Sequence, residues 1–365
     1  MYIKRLILSN FKNIVSADLT FSPGINCICG DNGEGKTNLL DAVHYLSMTK
    51  SFLQSSDRFT YTYGASEATL CGTYDIDGDE EKIALSVKSQ GEKTIKKNDK
   101  AYPRISEHIG HIPVVIISPS DTSLIHDSGE ERRRFMNIVL SQTDPQYLRA
   151  MQSYNRVLQQ RNKLLKSDTP PSEILLEAFS GQLNRDADYI FRKRGELAQE
   201  LNALAAGFYA RLSDGKESIS LEYSSDLNRA TMAQLLKSAY QRDIVLKYTS
   251  VGIQRDDYDF MMNGYPLKKC ASQGQQKTFL ISLKLAQLDM TRRRCGHSPI
   301  LLLDDVFDKL DMKRVELLMN MVSKEGFGQL FVTDSNKVRV SDLVKKLDSE
   351  SRFYTVTKGE FSEVK

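Results

Sequence analysis

Little in this 365-residue sequence suggests export, membrane insertion or a disulfide scaffold. No run of about 18 apolar residues is present. The opening MYIKRLILSNFKN reads as a short strand meeting a polar turn, without a signal peptide's apolar core or small-residue cleavage site. Nothing directs the chain out of the cytoplasm, and no membrane contact is expected. The five cysteines, Cys27, Cys29, Cys71, Cys270 and Cys295, contain no CxxC pair. Cys27 and Cys29 share one face of a strand, so buried thiols are expected. An excess of one charge is also missing: 50 basic and 47 acidic residues leave +3. The whole-molecule field therefore does not indicate nucleic acid, and a DNA-binding surface must be a local patch. Clusters occur at Lys93, Lys96, Lys97 and Lys100, at Arg132 to Arg134 and at Arg292 to Arg294; any one alone is read more readily as a solvated face. No internal repeat, low-complexity tract or sustained heptad pattern is present, and the longest expected helix, at most about 40 residues or roughly 60 Å, excludes a long coiled-coil rod by length alone.

What is present is one nucleotide site in separated pieces. GDNGEGKT, Gly30 to Thr37, follows an apolar strand and precedes helical spacing at Leu39, Leu40, Val43 and Leu46, the context a phosphate loop requires. Gly30, Gly33 and Gly35 let backbone N–H groups turn inward around phosphate oxygens. Lys36 supplies a point charge to the β- and γ-phosphates, and the Thr37 hydroxyl is placed to ligate Mg²⁺. Asp31, Asn32, Glu34 and Asn38 complete the ATP-binding segment. Pro299 to Val306 is an apolar strand ending in two acids, the form that delivers a carboxylate to the mouth of a parallel sheet. Asp304 suits the Mg²⁺ shell, and Asp305 suits orienting and activating the attacking water. SQGQQ, Ser272 to Gln276, opens a helix with an apolar stripe at Phe279, Leu280, Leu283, Ala286 and Met290. The Ser272 hydroxyl, the Gly274 backbone and the helix N-terminus make an anion site. A serine cap alone is commonplace, but this one lies 32 residues before Asp304 (304 − 272), room for one helix and a turn.

Pattern along the chain predicts an α/β protein. Strands are expected at Tyr2 to Leu8, Ala17 to Phe21 and Ile25 to Cys29, hairpins over Ala68 to Lys100 with turns at DGDE and SQGE, and a buried strand over Ile112 to Ser118. From Glu130 to about Leu212 the spacing is helical, with Tyr147, Met151, Tyr154, Leu158 and Leu165 on one face and a break at SDTPPS. One further helix is expected over Ala230 to Arg242. Residues 1–130 and 266–365 then form the two parts of one mixed-sheet head, and 131–265 is an inserted helical arm with short strands.

The phosphate loop, SxGQQ, LLLDD and the following DKLD resemble the heads of ABC-type ATPases, within them the SMC-like branch, and more narrowly the RecF family of bacterial recombination mediators. LSNFKN, GKTNLLDAVHYLSMTKSF, SPSDTSLIHDSGEERRRFMN, YNRVLQQRNKLL, GIQRDD and FVTDS carry the resemblance in order along nearly the whole chain. It implies a homodimer in which ATP held by Lys36 and Thr37 of one head is covered by Ser272 and Gly274 of the other. Lys12, Asn13 and Gln275 would join the nucleotide set, Lys36 and Asp305 would be catalytic, and Thr37 and Asp304 would hold Mg²⁺. Asp308 and Asp311 would lie at the dimer seam. The implied role is a cytoplasmic, nucleoid-associated clamp on duplex DNA at single-strand gaps, binding single strands weakly, with slow DNA-stimulated ATP hydrolysis. RecR and RecO would be partners and RecA an indirect one. Lys93, Lys96, Lys97 and Arg104 are the expected DNA contacts.

The sequence departs from these patterns. Asp305 stands where ABC proteins carry glutamate, and Thr333 and Asp334 replace the transporters' switch histidine. Asn137 replaces the aspartate usual in RecF proteins, and Ile253 and Gln254 their proline and histidine. Ser118 to Asp121 is the expected equivalent of the glutamine loop. A transporter's nucleotide-binding subunit would need the histidine and the glutamate. An SMC-like nuclease ATPase would need long coiled coils or a further metal-nuclease domain, and about 30 residues follow Thr333. A clamp that binds ATP without meaningful turnover also fits.

Overall fold

The computed structural model describes residues 1–54, 56–309, 312–324, 326–336, 344 and 350–364. Contacts divide the chain into two compact units, residues 1–121 with 280–365 and residues 122–279. These borders fall just after the Val114–Ile117 strand and inside the Gln273–Cys295 helix.

In the first unit the apolar runs INCIC, ILLLD, LFVTD and VVII become short strands almost wholly buried. Strands covered on both faces belong to a parallel sheet. Its order is Glu360–Val364, Ser351–Thr357, Ile25–Cys29, Leu330–Asp334, Ile300–Asp304, Val114–Ile117, parallel throughout except for the Ser351–Thr357 and Glu360–Val364 pair. A second, antiparallel sheet runs Ile14–Thr20, Tyr2–Phe11, Glu67–Ile76, Asp79–Lys88, Lys93–Lys97, Lys100–Ala101. Its strands alternate buried and exposed positions, as one-faced strands do. The DGDE signal is a two-residue turn: Asp77 and Gly78 have φ 54° and 95°, and Ile76 faces Asp79. The Lys36–Met48 helix contributes Leu39, Leu40, Val43 and Leu46 to one core with Leu6, Leu8 and Phe11 of the antiparallel sheet and Ile28, Leu302 and Phe331 of the parallel one. Each such aliphatic side chain withdrawn from water contributes about 1.5–3 kcal/mol. That core fixes the floor on which the phosphate loop stands.

The second unit contains helices Gly129–Thr143, Pro145–Leu165 and Glu173–Ser213 and a small antiparallel sheet of Ile219–Ser224, Asp257–Met262 and Tyr265–Pro266. The expected continuous helical text after Glu130 is interrupted at Asp144. That residue caps the next helix, its Oδ1 accepting from Gln146 N at 2.9 Å and Tyr147 N at 3.0 Å, with Pro145 at the first helical position. Tyr147, Met151, Tyr154 and Leu165 are buried as expected, but Val157 fills the stripe and Leu158 is only half-buried. The long helix has 41 residues, about 60 Å at the standard rise, and ends at Asp214 with φ 56°. The single helix expected over 230–242 is two short ones, Met232–Ser238 and Tyr240–Leu246. Among the described residues no helix is long and apolar enough to cross a membrane. Cys27 and Cys29 are buried, and burial pushes the Cys27 thiol up.

Candidate nucleotide-binding site

The phosphate loop leaves the Ile25–Cys29 strand and closes on the Lys36–Met48 helix. Gly33 and Gly35 have φ 85° and 119°, values that non-glycine residues rarely adopt. Crowding adds a second demand: a Cβ at Gly35 would lie 3.0 Å from Asn13 Nδ2, and one at Gly30 would lie 2.5 Å from the Val356 carbonyl oxygen. Lys36 is 4% exposed. Its ammonium donates to the carbonyls of Gly30 at 2.7 Å and Asp31 at 3.1 Å and reaches Asn32 Oδ1 at 3.5 Å. Among the described residues no carboxylate pairs with it.

Parallel register brings the acids to the loop. Asp304 lies opposite Thr333, and Thr333 opposite Ile28, so the three strands end at one level. Thr37 Oγ1 donates to Asp304 Oδ1 at 2.9 Å, and Thr333 Oγ1 donates to the same oxygen at 2.8 Å. Thr333 Oγ1 also accepts from Asp305 N at 3.0 Å, joining both acids through one hydroxyl. Burial holds the Asp304 carboxyl above the usual carboxylate range; the Thr333 and Thr37 hydroxyls act the other way. Asp305 has φ 46°, a left-handed conformation that aspartate tolerates better than most residues. A carboxylate and a hydroxyl are the hard oxygen donors that Mg²⁺ takes alongside phosphate oxygens, so Thr37 and Asp304 fit that ion.

The SQGQQ stretch lies in the second unit. Ser272 N donates to Gln275 Oε1 at 2.7 Å and Gln275 N to Ser272 Oγ at 3.3 Å, a reciprocal cap on the Gln273–Cys295 helix. Gln275 Nε2 donates to Glu217 Oε1 at 2.8 Å, and the Gly274 carbonyl accepts from Thr278 Oγ1 at 2.9 Å. Ser272 is exposed, and a hydroxyl that accepts from Gln275 N can still donate its own proton. Phe279, Leu280, Leu283, Ala286 and Met290 are all buried.

Asn13 touches the loop: its Nδ2 donates to the Glu34 carbonyl at 3.2 Å and its Oδ1 accepts from Asn38 at 2.7 Å. Lys12 turns instead to Asp41, 2.5 Å away in a buried pair. Of the basic residues considered for DNA, Lys93 pairs with Asp57 at 2.6 Å, donates to the Thr49 carbonyl at 2.7 Å and lies over the Tyr45 ring, an internal role. Lys97 pairs with Glu81 at 2.7 Å, and Lys96 and Arg104 are exposed. Arg132 forms a two-pronged bond with Asp257, and Arg133 donates to the Asp256 carbonyl at 2.9 Å. Arg292 and Arg293 both reach Asp289. Asp121, in the expected glutamine-loop position, pairs with Lys284 at 2.6 Å. The side chain of Asp308 and all of Asp311 lie outside the described residues.

Sequence reading places Thr333 in the switch-histidine position without its bridging role and does not bring Gly359 to the loop at all. Thr333 is a bridge between the acids, and the Glu34 carbonyl accepts from Gly359 N at 2.8 Å. The alternating residues around Lys358–Gly359 signal a hairpin, but nothing local signals where it lands.

The family model for the RecF/RecN/SMC N-terminal domain matches residues 2–360. A protein from Parabacteroides distasonis named DNA replication and repair protein RecF is 39% identical over 360 residues, covering 99% of this chain and 98% of that protein. A protein of the same name from Bacteroides fragilis is 40% identical over 365 residues, covering 100% and 99%. A solved structure described as the recombination mediator protein RecF with ATP in the RecFOR pathway matches with a TM-score of 0.90 at 30% identity, over 100% of this chain and 98% of that one. An Smc head bound to the C-winged helix domain of ScpA matches with a TM-score of 0.59 at 16% identity, covering 100% and 98%, a likeness of fold alone.

Proposed function

The chain belongs to the RecF family, and on that premise we propose that it serves DNA replication and repair as an ATP-gated homodimer that clamps duplex DNA at single-strand gaps. Its fold is the ABC-type ATPase head with an inserted helical arm. The observation that carries the reading is the Thr37–Asp304–Thr333 bridge, which ties the phosphate loop to the paired acids through one carboxylate oxygen.

In this reading Lys36 exchanges its loop carbonyls for the oxygens of a bound triphosphate. Thr37 and Asp304 would hold Mg²⁺, which when bound would neutralise charge on the phosphates, and Asp305 orients the attacking water. The loop backbone from Gly30 to Thr37, with Asn13 and Asn38 bracing it, forms the cradle. Ser272 and Gly274 of a second copy close over it, with Gln275 capping their helix. Lys12 supports the site through Asp41. For function the chain divides at 130/131 and 265/266, because residues 266–365 carry the signature together with the paired acids.

Hydrolysis is slow and DNA-stimulated, consistent with the shorter Asp305. Duplex backbone is the DNA target, through the exposed Lys96 and Arg104, and its affinity falls steeply with salt; Lys93 and Lys97, on the other face of their strand and paired with Asp57 and Glu81, are not part of that surface. Single strands bind more weakly. Relatives assigned to the RecFOR pathway support RecO and RecR as partners, with RecA loading downstream on the bacterial nucleoid.

A complementation experiment tests the shared site. Lys36→Ala and Ser272→Arg copies are each expected to lose ATP-driven dimerisation and hydrolysis. Mixed, they can form one pocket from two intact halves, and sedimentation and phosphate release should both recover in part. A mixture as inactive as its components would exclude the shared pocket.

A further inference from the structure

We propose that the Lys358–Gly359 turn of the Ser351–Val364 hairpin is a positioning element of the phosphate loop and sets how tightly nucleotide is held. The proposal rests on the nucleotide-site reading above. Residues Ser351 to Thr355 pair in parallel with Ile25 to Cys29, so the chain beyond Thr355 continues beside the residues that leave the phosphate strand. Val356 comes close enough to deny Gly30 any Cβ. Thr357 then faces Glu360 across a two-residue turn in which Lys358 and Gly359 have φ 50° and 82°.

Both backbone N–H groups of that turn are spent on Glu34. Gly359 N donates to its carbonyl oxygen at 2.8 Å, and Lys358 N donates to its carboxylate. Asn13 Nδ2 donates to the same carbonyl at 3.2 Å. In a trans peptide the C=O and the following N–H point to opposite sides. Tying the Glu34 carbonyl to the hairpin therefore directs the Gly35 N–H away from it, between the two loop residues with positive φ. The same turn holds the Glu34 carboxylate on the hairpin side, where its charge opposes an arriving triphosphate least. Gly359 is buried, and a Cβ there would lie inside van der Waals distance of the Asn13 carbonyl oxygen.

Gly359→Ala in the full chain should weaken ATP binding about tenfold or more by titration calorimetry, while thermal unfolding remains one cooperative transition. Gly78→Ala is the control: φ is 95° but a Cβ there meets nothing within 4 Å, so it carries the strain without the collision and should bind ATP as wild type does. Lys358→Ala keeps the N–H and should also bind normally; a loss there would assign the effect to the ammonium and overturn the proposal. If Gly359→Ala does not fold, amide exchange of the wild type decides: ATP should slow exchange at Lys358 and Gly359, and unchanged exchange would sink the idea. Lys36→Ala separates the two readings. Binding that survives in Lys36→Ala contradicts the nucleotide site itself, whereas binding lost in Lys36→Ala but normal in Gly359→Ala contradicts only the turn's role.

Discussion

Buried charge is treated in opposite ways in the helical unit and at the phosphate loop. In residues 122–279, Arg194 donates to Asp256 Oδ2 at 2.6 Å, the Ile253 carbonyl at 2.7 Å, Asn137 Oδ1 at 3.0 Å and the Tyr147 hydroxyl at 3.1 Å. Arg161 donates to Asp243 at 2.8 Å and Thr249 at 2.6 Å, and Asp243 accepts again from Ser250 N and Oγ. Each guanidinium has its carboxylate. At the phosphate loop Lys36 and Asp304 are nearly as buried, yet among the described residues Lys36 donates only to carbonyl and amide oxygens and Asp304 accepts only from hydroxyls. Lys12 and Asp41, a closed pair in the same unit, show that the contrast belongs to the site and not to the unit. A neutralised buried charge holds a fold together; in the function proposed above, one left without its counter-charge awaits a ligand of opposite sign, a triphosphate for Lys36 and Mg²⁺ for Asp304. The cost is stability given up at the site.

The largest effect should come from breaking the closed network. Arg194→Ala leaves Asp256 buried without its cation and should destabilise the second unit by about 3–5 kcal/mol in urea unfolding. Lys36→Ala, at equal burial, removes a charge that has no carboxylate and should unfold within about 1 kcal/mol of wild type while ATP binding is lost. Equal destabilisation by the two substitutions would erase the distinction.

A smaller effect sharpens it. Because burial raises the Asp304 carboxyl, the folded protein prefers that group protonated, and wild type loses stability relative to Asp304→Asn as pH rises through the usual carboxylate value and then the raised one. The Asn variant should therefore be the more stable protein at pH 7. Its advantage should fade as pH falls below about 4, where both forms are neutral. Urea midpoints across that range check the sign; an advantage for wild type at pH 7 would mean that the carboxylate is already satisfied by the protein.

What could be foreseen from sequence follows from how local each signal is. GDNGEGKT, the LLLDD strand and the Ser272 cap are contiguous, and each announces its own backbone requirement through glycine, apolar run or capping oxygen. Asp144–Pro145 is equally local, a cap and a first-turn proline, but the apolar spacing continues past it and masks the break. Lys93 looked like a surface cation because a strand's alternation does not reveal Asp57 and Tyr45 waiting under its end. The grip of Lys358–Gly359 on Glu34 depends on parallel pairing between residues 25–29 and 351–355, which no local pattern encodes.

Asn137 offers the smallest test and the finest. Its single Oδ1 accepts from both Arg194 Nη2 and, at 2.7 Å, the Tyr147 hydroxyl, where RecF proteins usually place an aspartate. Among the described residues Arg194 is the one guanidinium that touches it, and that guanidinium already holds Asp256 at 2.6 Å. An Asn137→Asp carboxylate would strengthen both bonds it accepts, since hydrogen bonds to charged groups exceed neutral ones by about 1 kcal/mol. A gain near that size is expected at pH 7, disappearing as acid protonates the new group, with ATP binding unaltered. Destabilisation instead would mean that repulsion from Asp256 outweighs the stronger bonds, and that the amide here completes a network already closed.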